Sequence, residues 1–165
     1  PVQPPLRDTA NRLLPRAATL DGIVQVPREK VSLLQILEQI RRYMLQTLLP
    51  SARRVTIHVG GEDVIVSADC ASSVALVVNE LVQNALKYAF PSGQAGRIGI
   101  ELHSGRPLCQ LTVWDNGVGF QADRPRPGGA GLELASTIVR EKLTGEWSVE
   151  SGPGGTRISF DFLEQ

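Results

Sequence analysis

Apolar residues recur at steps of three and four in three segments of the chain, which is the spacing of one face of an α-helix. The segments cover residues 33–48, 71–89 and 131–143. Ser32 precedes the first segment, at a position where a serine hydroxyl can cap a helix, and Pro50 follows it. The pattern therefore predicts three amphipathic helices.

Other stretches alternate apolar and polar residues, as strands with one buried face do. The alternation covers residues 55–59, 64–66, 98–102, 109–113, 147–149 and 156–162. Glycine pairs favour a hairpin turn within the first and the last pair of strands. Because paired strands alternate with helices, we expect an α+β fold, a two-layer α/β sandwich. Its sheet is expected to be mixed and mostly antiparallel with helices on one face, and residues 21–31 and 117–130 are expected to be loops.

Composition excludes several classes of protein. The 17 basic and 17 acidic residues cancel, which argues against a dedicated nucleic-acid partner. Cys70 and Cys109 lie far apart without metal-ligand spacing, so we expect free thiols. No stretch approaches the roughly 18 apolar residues of a membrane span, and no signal-peptide pattern opens the sequence. We expect a cytoplasmic location without membrane contact by this domain.

The second predicted helix carries three polar residues in one row. Glu80, Asn84 and Lys87 fall within a wedge of roughly 60°, and Tyr88 lies at its edge. The amide oxygen of Asn84 can ligate Mg²⁺, and Lys87 can meet a phosphate. Glu80 can act as a base. The alternative is an ordinary solvated helix face.

Asp115 ends a predicted strand on the same parity as its apolar residues, so it should point towards the core. A carboxylate there needs a hydrogen-bond donor, and an adenine amino group is a suitable one. Asn116, Gly117 and Gly119 follow, and the glycines permit close backbone approach. The alternative is a turn built from Asp-Asn-Gly.

Two further glycine motifs complete the pattern. Gly128–Leu132 precedes the third helix, where free backbone N–H groups can meet an anion; a hinge is the alternative. Gly154-Gly155-Thr156 precedes the last strand, where a turn is expected and Thr156 could add a hydroxyl contact. No GxxxxGK[ST] run occurs, which excludes the ordinary P-loop.

In this order, the four motifs resemble the ATPase fold shared by histidine kinases, gyrase-type topoisomerases and heat-shock chaperones. The resemblance covers roughly residues 52–163. The run from Asn79 to Phe90 and the short loop after Asp115 are most similar to bacterial sensor histidine kinases with a compact ATP lid.

The resemblance implies ATP and Mg²⁺ as cofactors and gives each position a role. Asn84 would hold Mg²⁺ and Lys87 would contact phosphate, while Glu80 would be the base or the polarising residue. Tyr88 would stack near the base. Asp115 would accept a hydrogen bond from the adenine amino group, with Thr156 acting through water.

The loops receive roles in the same way. Asn116, Gly117 and Gly119 would form the floor of the nucleotide pocket, and residues 120–130 would be the lid. The phosphates would lie at the start of the third helix, at Gly129, Ala130, Gly131 and Leu132.

The chain departs from such kinases in two respects. Glu133 stands where many relatives have glycine, and it either adds negative charge near the phosphates or points to solvent. No histidine lies in residues 1–50, and His58 and His103 have the polar parity of predicted strands. The phosphate would therefore pass to a histidine-containing acceptor domain outside this chain, and then to a response regulator.

Residues 1–50 are expected to be a helical segment from the end of a truncated dimerisation and acceptor region, and residues 51–165 the ATP-binding catalytic domain. The parent protein would be a homodimer, cytoplasmic or the cytoplasmic part of a membrane sensor. An anti-sigma-factor-like serine kinase is one alternative. A degenerate docking module that binds no nucleotide, suggested by Glu133, is another.

Overall fold

The structure is a computed structural model that describes residues 29–47, 54–105, 107–120 and 129–164. The elements in chain order are β1 (Lys30–Ser32), α1 (Leu33–Thr47), β2 (Val55–Gly61), β3 (Ile65–Ser67), α2 (Ala68–Tyr88), a 3₁₀ turn (Pro91–Gly93), β4 (Gly96–His103), β5 (Leu108–Asp115), α3 (Gly129–Glu141), β6 (Trp147–Gly152) and β7 (Gly155–Leu163). The three helices predicted from the sequence are all present.

Ser32 caps α1, since its hydroxyl accepts the N–H of Gln35 at 3.2 Å. Predictions for residues before Glu29 lie outside the described residues.

Five strands form one sheet in the order β2-β4-β5-β7-β6. β2 runs parallel to β4, and the other neighbours are antiparallel. Four of the five strands bury residues on one face of the sheet, which belongs to the core, as in Ile98, Ile100 and Leu102 of β4; no residue of the edge strand β6 is fully buried. This confirms the predicted two-layer architecture with a mixed, mostly antiparallel sheet.

The predicted hairpin between residues 55–59 and 64–66 is wrong. β3 pairs with β1, in a segment expected to be a loop, and forms a separate two-stranded sheet. The glycines at the end of β2 do not turn the chain back on itself, because they pair with β4 and the N–H of Glu62 donates to Leu102 of β4 at 2.8 Å. Asp63 then directs the chain towards α1, where its carboxylate accepts the hydroxyl of Ser32 at 2.7 Å and the N–H of Leu34 at 3.0 Å.

The core lies between the five-stranded sheet and the helices. α2 packs against both other helices, α1 also covers β2, and α3 covers β6 and β7. α1 contributes four buried side chains to the same apolar cluster as the sheet: Leu33, Leu37, Ile40 and Met44. Within the described ranges, no helix combines the length and the apolarity needed to span a bilayer.

Candidate nucleotide site

Glu80 and Asn84 lie one turn apart on α2 and face the first turn of α3. A Cβ atom built on Gly131 would lie 2.9 Å from Glu80 Oε2 and 3.2 Å from Asn84 Nδ2. α3 therefore approaches the two polar side chains more closely than a residue with a side chain would allow without displacement. The structure thus brings together three of the residues singled out in the sequence.

Asn84 is 5% exposed, and its amide nitrogen has no hydrogen-bond partner among the described residues. A buried polar group without a partner costs about 1–3 kcal/mol, and native proteins contain few of them. A ligand at this position would remove that cost. The carboxamide also suits a hard cation, because Mg²⁺ prefers oxygen ligands and the side-chain oxygen can serve as one.

The other two residues of the predicted row on α2, Lys87 and Tyr88, are less buried than Asn84. Lys87 is exposed, and Tyr88 is half-buried at the end of the helix. The structure therefore separates half-buried Glu80 and buried Asn84 from a cation that stands at the surface nearly one turn further on.

Asp115 ends β5 on the helix-covered face and is 7% exposed, which confirms the direction predicted from strand parity. One carboxylate oxygen, Oδ1, accepts the N–H of Gly117 at 2.9 Å. Thr156 of β7 lies directly opposite in the antiparallel ladder and is 4% exposed. A carboxylate and a hydroxyl thus stand side by side on the buried face at the end of the sheet.

The glycines after Asp115 hold the loop close to neighbouring backbone. The N–H of Val118 donates to the carbonyl of Ala89 at 2.9 Å, and a Cβ on Gly117 would lie 2.2 Å from that carbonyl oxygen. Gly119 has φ of +68°, and a Cβ there would lie 1.9 Å from the carbonyl oxygen of Gly152. Both positions therefore require glycine, and the loop is held between the end of α2 and β6.

Other predicted site residues have structural partners. The side-chain oxygen of Asn116 accepts the N–H of Arg97 at 2.7 Å, so it joins β5 to β4. Gly129 and Ala130 open α3, and Leu132 packs against the apolar core. Glu133 is exposed, so its side chain points to solvent.

Ser151 is a polar residue of the site that the sequence reasoning missed. Its hydroxyl accepts the N–H of Phe120 at 2.8 Å and lies 2.7 Å from Thr156 Oγ1. The signal was present in the last hairpin, because the turn at Gly152–Gly155 places Ser151 opposite Thr156. An open cavity of about 420 Å³ borders these strand ends and also reaches Trp114 and Arg157 on the opposite face of the sheet.

The histidines and cysteines lie as expected. His58 and His103 are exposed on strands, and Cys70 and Cys109 are buried free thiols. Burial raises the pKa of both thiols. Among the described residues, no group of three or more His, Cys, Asp or Glu side chains could hold a metal ion.

Residues 70–165 match the family of histidine kinase-, DNA gyrase B- and HSP90-like ATPases. Sensor histidine kinase PdtaS of Mycobacterium tuberculosis is 25% identical over 143 residues, which is 85% of this chain and 28% of the relative. The histidine kinase domain of the blue-light-activated kinase EL346 of Erythrobacter litoralis has a TM-score of 0.71 at 25% identity, over 81% of this chain and 62% of that chain.

Histidine kinase ThkA, solved in complex with the response regulator TrrA, shares the fold at 17% identity. Its TM-score is 0.67, over 94% of this chain and 49% of that chain. The matched family spans more than half of the sequence. This chain therefore belongs to the family of histidine kinase-, DNA gyrase B- and HSP90-like ATPases, and it carries the ATPase domain found in sensor histidine kinases.

Proposed function

We propose that this chain is the ATP-binding catalytic domain of a two-component sensor histidine kinase, which binds Mg²⁺-ATP and donates the γ-phosphate to a histidine outside this chain. The observation that carries the proposal is the environment of Asn84. Its carboxamide is buried, its nitrogen lacks a partner among the described residues, and it lies beside Glu80 at the glycine that opens the first turn of α3.

Asn84 would hold the metal through its side-chain oxygen. Because Mg²⁺ prefers six oxygen ligands and retains water, one protein ligand together with phosphate oxygens suffices. The ion would neutralise charge on the phosphates during transfer. The backbone N–H groups of the first turn, at Gly129–Leu132, have no partner within α3, and such a helix start favours an anion at the same end of the site. Exposed Lys87 can supply a positive charge.

The adenine base would lie at the other end of the site. Asp115 is buried and accepts only through its oxygens when ionised, so a ligand amino group is a fitting donor. Thr156 stands next to it in register and can add a hydroxyl contact. Tyr88 would border the base, while Gly117 and Gly119 let the loop backbone approach it.

Glu80 would polarise or deprotonate the incoming histidine, since it lies half-buried beside Asn84 at the phosphate end. The acceptor histidine would belong to a dimeric acceptor domain of the parent protein, whose second partner is a response regulator. The ThkA complex with TrrA supports that pairing by analogy of fold alone. This chain spans less than a third of the length of PdtaS, so these partners concern the parent protein.

The two alternatives lose their main support. PdtaS and EL346 are both histidine kinases, which favours histidine over serine as the acceptor. Glu133 is exposed, so solvent screens its charge, which weakens the observation that suggested a docking module.

The test compares Asn84→Ala with Asn84→Asp in the 165-residue chain. We expect the alanine variant to lose at least about tenfold in Mg²⁺-ATP affinity, because one charge-assisted contact is worth about 1.5–3 kcal/mol. The aspartate variant retains an oxygen ligand and should bind more tightly than the alanine variant when Mg²⁺ is present. Calorimetric titration with Mg²⁺ and with EDTA measures both. Unchanged affinity in Asn84→Ala would contradict the assignment.

A further inference from the structure

Three hydrogen-bonding groups meet at the ends of β5, β6 and β7, close to the proposed adenine position. The N–H of Phe120 donates to Ser151 Oγ at 2.8 Å, and Ser151 Oγ lies 2.7 Å from Thr156 Oγ1. Thr156 in turn lies opposite Asp115 in the ladder. The motifs of the sequence include Asp115 and Thr156 but leave Ser151 without a role.

One of these bonds has a fixed direction: a backbone N–H can only donate, so Phe120 occupies one acceptor site of Ser151 and leaves the serine's own hydrogen to be placed. The bond between Ser151 and Thr156 can run either way, and Thr156 Oγ1 lies close enough to accept the serine hydrogen. When Ser151 donates to it, the single hydrogen of Thr156 must point elsewhere.

In that arrangement the Thr156 hydrogen can be donated on the buried face, where Asp115 lies opposite. Thr156 is 4% exposed, so a donor there gains little from water and needs an acceptor on that face, which a ligand can supply. The neighbouring ends of β5 and β7 then present a carboxylate acceptor at Asp115 and, beside it, a hydroxyl donor at Thr156.

We infer that Ser151 is a positioning residue that makes the site select adenine over guanine by fixing Thr156 as a donor; the inference rests on the proposed function. Adenine presents an amino donor next to a ring-nitrogen acceptor, which matches Asp115 and Thr156. Guanine presents a carbonyl acceptor next to a ring N–H donor, which places acceptor against acceptor and donor against donor. Such mismatches leave buried polar groups unpaired, which discriminates strongly between ligands.

Loss of Ser151 therefore has a specific consequence. In Ser151→Ala the Thr156 hydroxyl keeps its position on the sheet but loses its fixed donor. It can then turn to accept from guanine as readily as it donates to adenine. We expect the ratio of ATP to GTP affinity to fall about tenfold, equivalent to about 1.4 kcal/mol for one defined hydrogen bond.

The experiment measures dissociation constants of Mg²⁺-ATP and Mg²⁺-GTP for the 165-residue chain and three variants. Ser151→Ala should lower the ratio of ATP affinity to GTP affinity, and Ser151→Thr, which keeps a hydroxyl, should restore the wild-type ratio. Thr156→Val removes the hydroxyl that Ser151 acts through, so adding Ser151→Ala to it should change the ratio no further.

The outcomes separate the two proposals. If the wild-type chain binds neither nucleotide, the proposed function is overturned and this inference with it. If the wild type prefers ATP but Ser151→Ala weakens ATP and GTP by the same factor, Ser151 has a structural role alone and the selectivity inference is overturned. A fall in the ratio that Ser151→Thr reverses supports it.

Discussion

Gly131 is the residue at which one methyl group would reach the polar pair of the candidate site. In Gly131→Ala, the new Cβ would lie 2.9 Å from Glu80 Oε2 and 3.2 Å from Asn84 Nδ2, so the Glu80 carboxylate must shift and the Asn84 amide must move by a few tenths of an ångström. The same change favours the helix, since alanine is up to about 1 kcal/mol better than glycine there. We expect the melting temperature to stay constant or rise while Mg²⁺-ATP affinity falls at least tenfold, measured by calorimetry and thermal unfolding.

The control for this prediction is Gly154→Ala in the turn between β6 and β7, where an added Cβ meets nothing within 4 Å. It should leave nucleotide affinity unchanged. A Gly131→Ala variant that binds Mg²⁺-ATP as tightly as the wild type would show that the pair beside α3 is not part of the binding site.

For single residues, the sequence predicted which side chains face the core better than it predicted their hydrogen-bond partners. Asp115 could be assigned to the buried face because strand parity is a local property of β5. Ser151 could not be given a role, because its contacts with Phe120 and Thr156 depend on how the loop after β5 lies against β6. Asn116 was expected at the ligand, yet its side-chain oxygen joins β5 to β4.

Among the elements, α1 packs in the same core as the five-stranded sheet, although the sequence suggested a boundary near residue 50. Leu37 is fully buried in the cluster that also contains Ile57 and Val78. We expect Leu37→Ala to lower the free energy of unfolding by about 2–5 kcal/mol, because it leaves a cavity in a packed core. Urea unfolding followed by circular dichroism measures this change.

The matched control is Gln39→Ala on the exposed side of the same helix, which should change the free energy of unfolding by less than about 0.5 kcal/mol. A fragment of residues 51–165 should also unfold more readily than the whole chain, since it lacks the four buried side chains of α1. Equal stability of fragment and whole chain would instead favour the boundary at residue 50.

Periodicity was sufficient to place all three helices and six of the seven strands near their observed positions. It could not give the pairing of β2 and β3, because turn glycines at Gly60 and Gly61 look the same whether the chain forms a hairpin or leaves the sheet. The pairing is decided by distant groups: Leu102 binds the N–H of Glu62, and Asp63 binds the start of α1.

For the whole molecule, the order of the four motifs predicts one nucleotide site, and the fold places the ends of their elements next to one another in pairs. The C-terminal half of α2, the end of β5, the start of α3 and the start of β7 border one another, through contacts at Gly131, Gly117 and Thr156. No single motif required this arrangement. The α+β sandwich, in which α2 packs centrally between α1 and α3, supplies it.

The central claim is that the whole chain binds Mg²⁺-ATP, and thermal unfolding of the 165-residue protein with nucleotide tests it most directly. At 100 times the dissociation constant, ligand should add about 2.7 kcal/mol. For a chain of this length, that raises the melting temperature by about 5–10 °C. We expect this rise in melting temperature with ATP and Mg²⁺ and a much smaller rise with ATP and EDTA. No shift at millimolar Mg²⁺-ATP would contradict it.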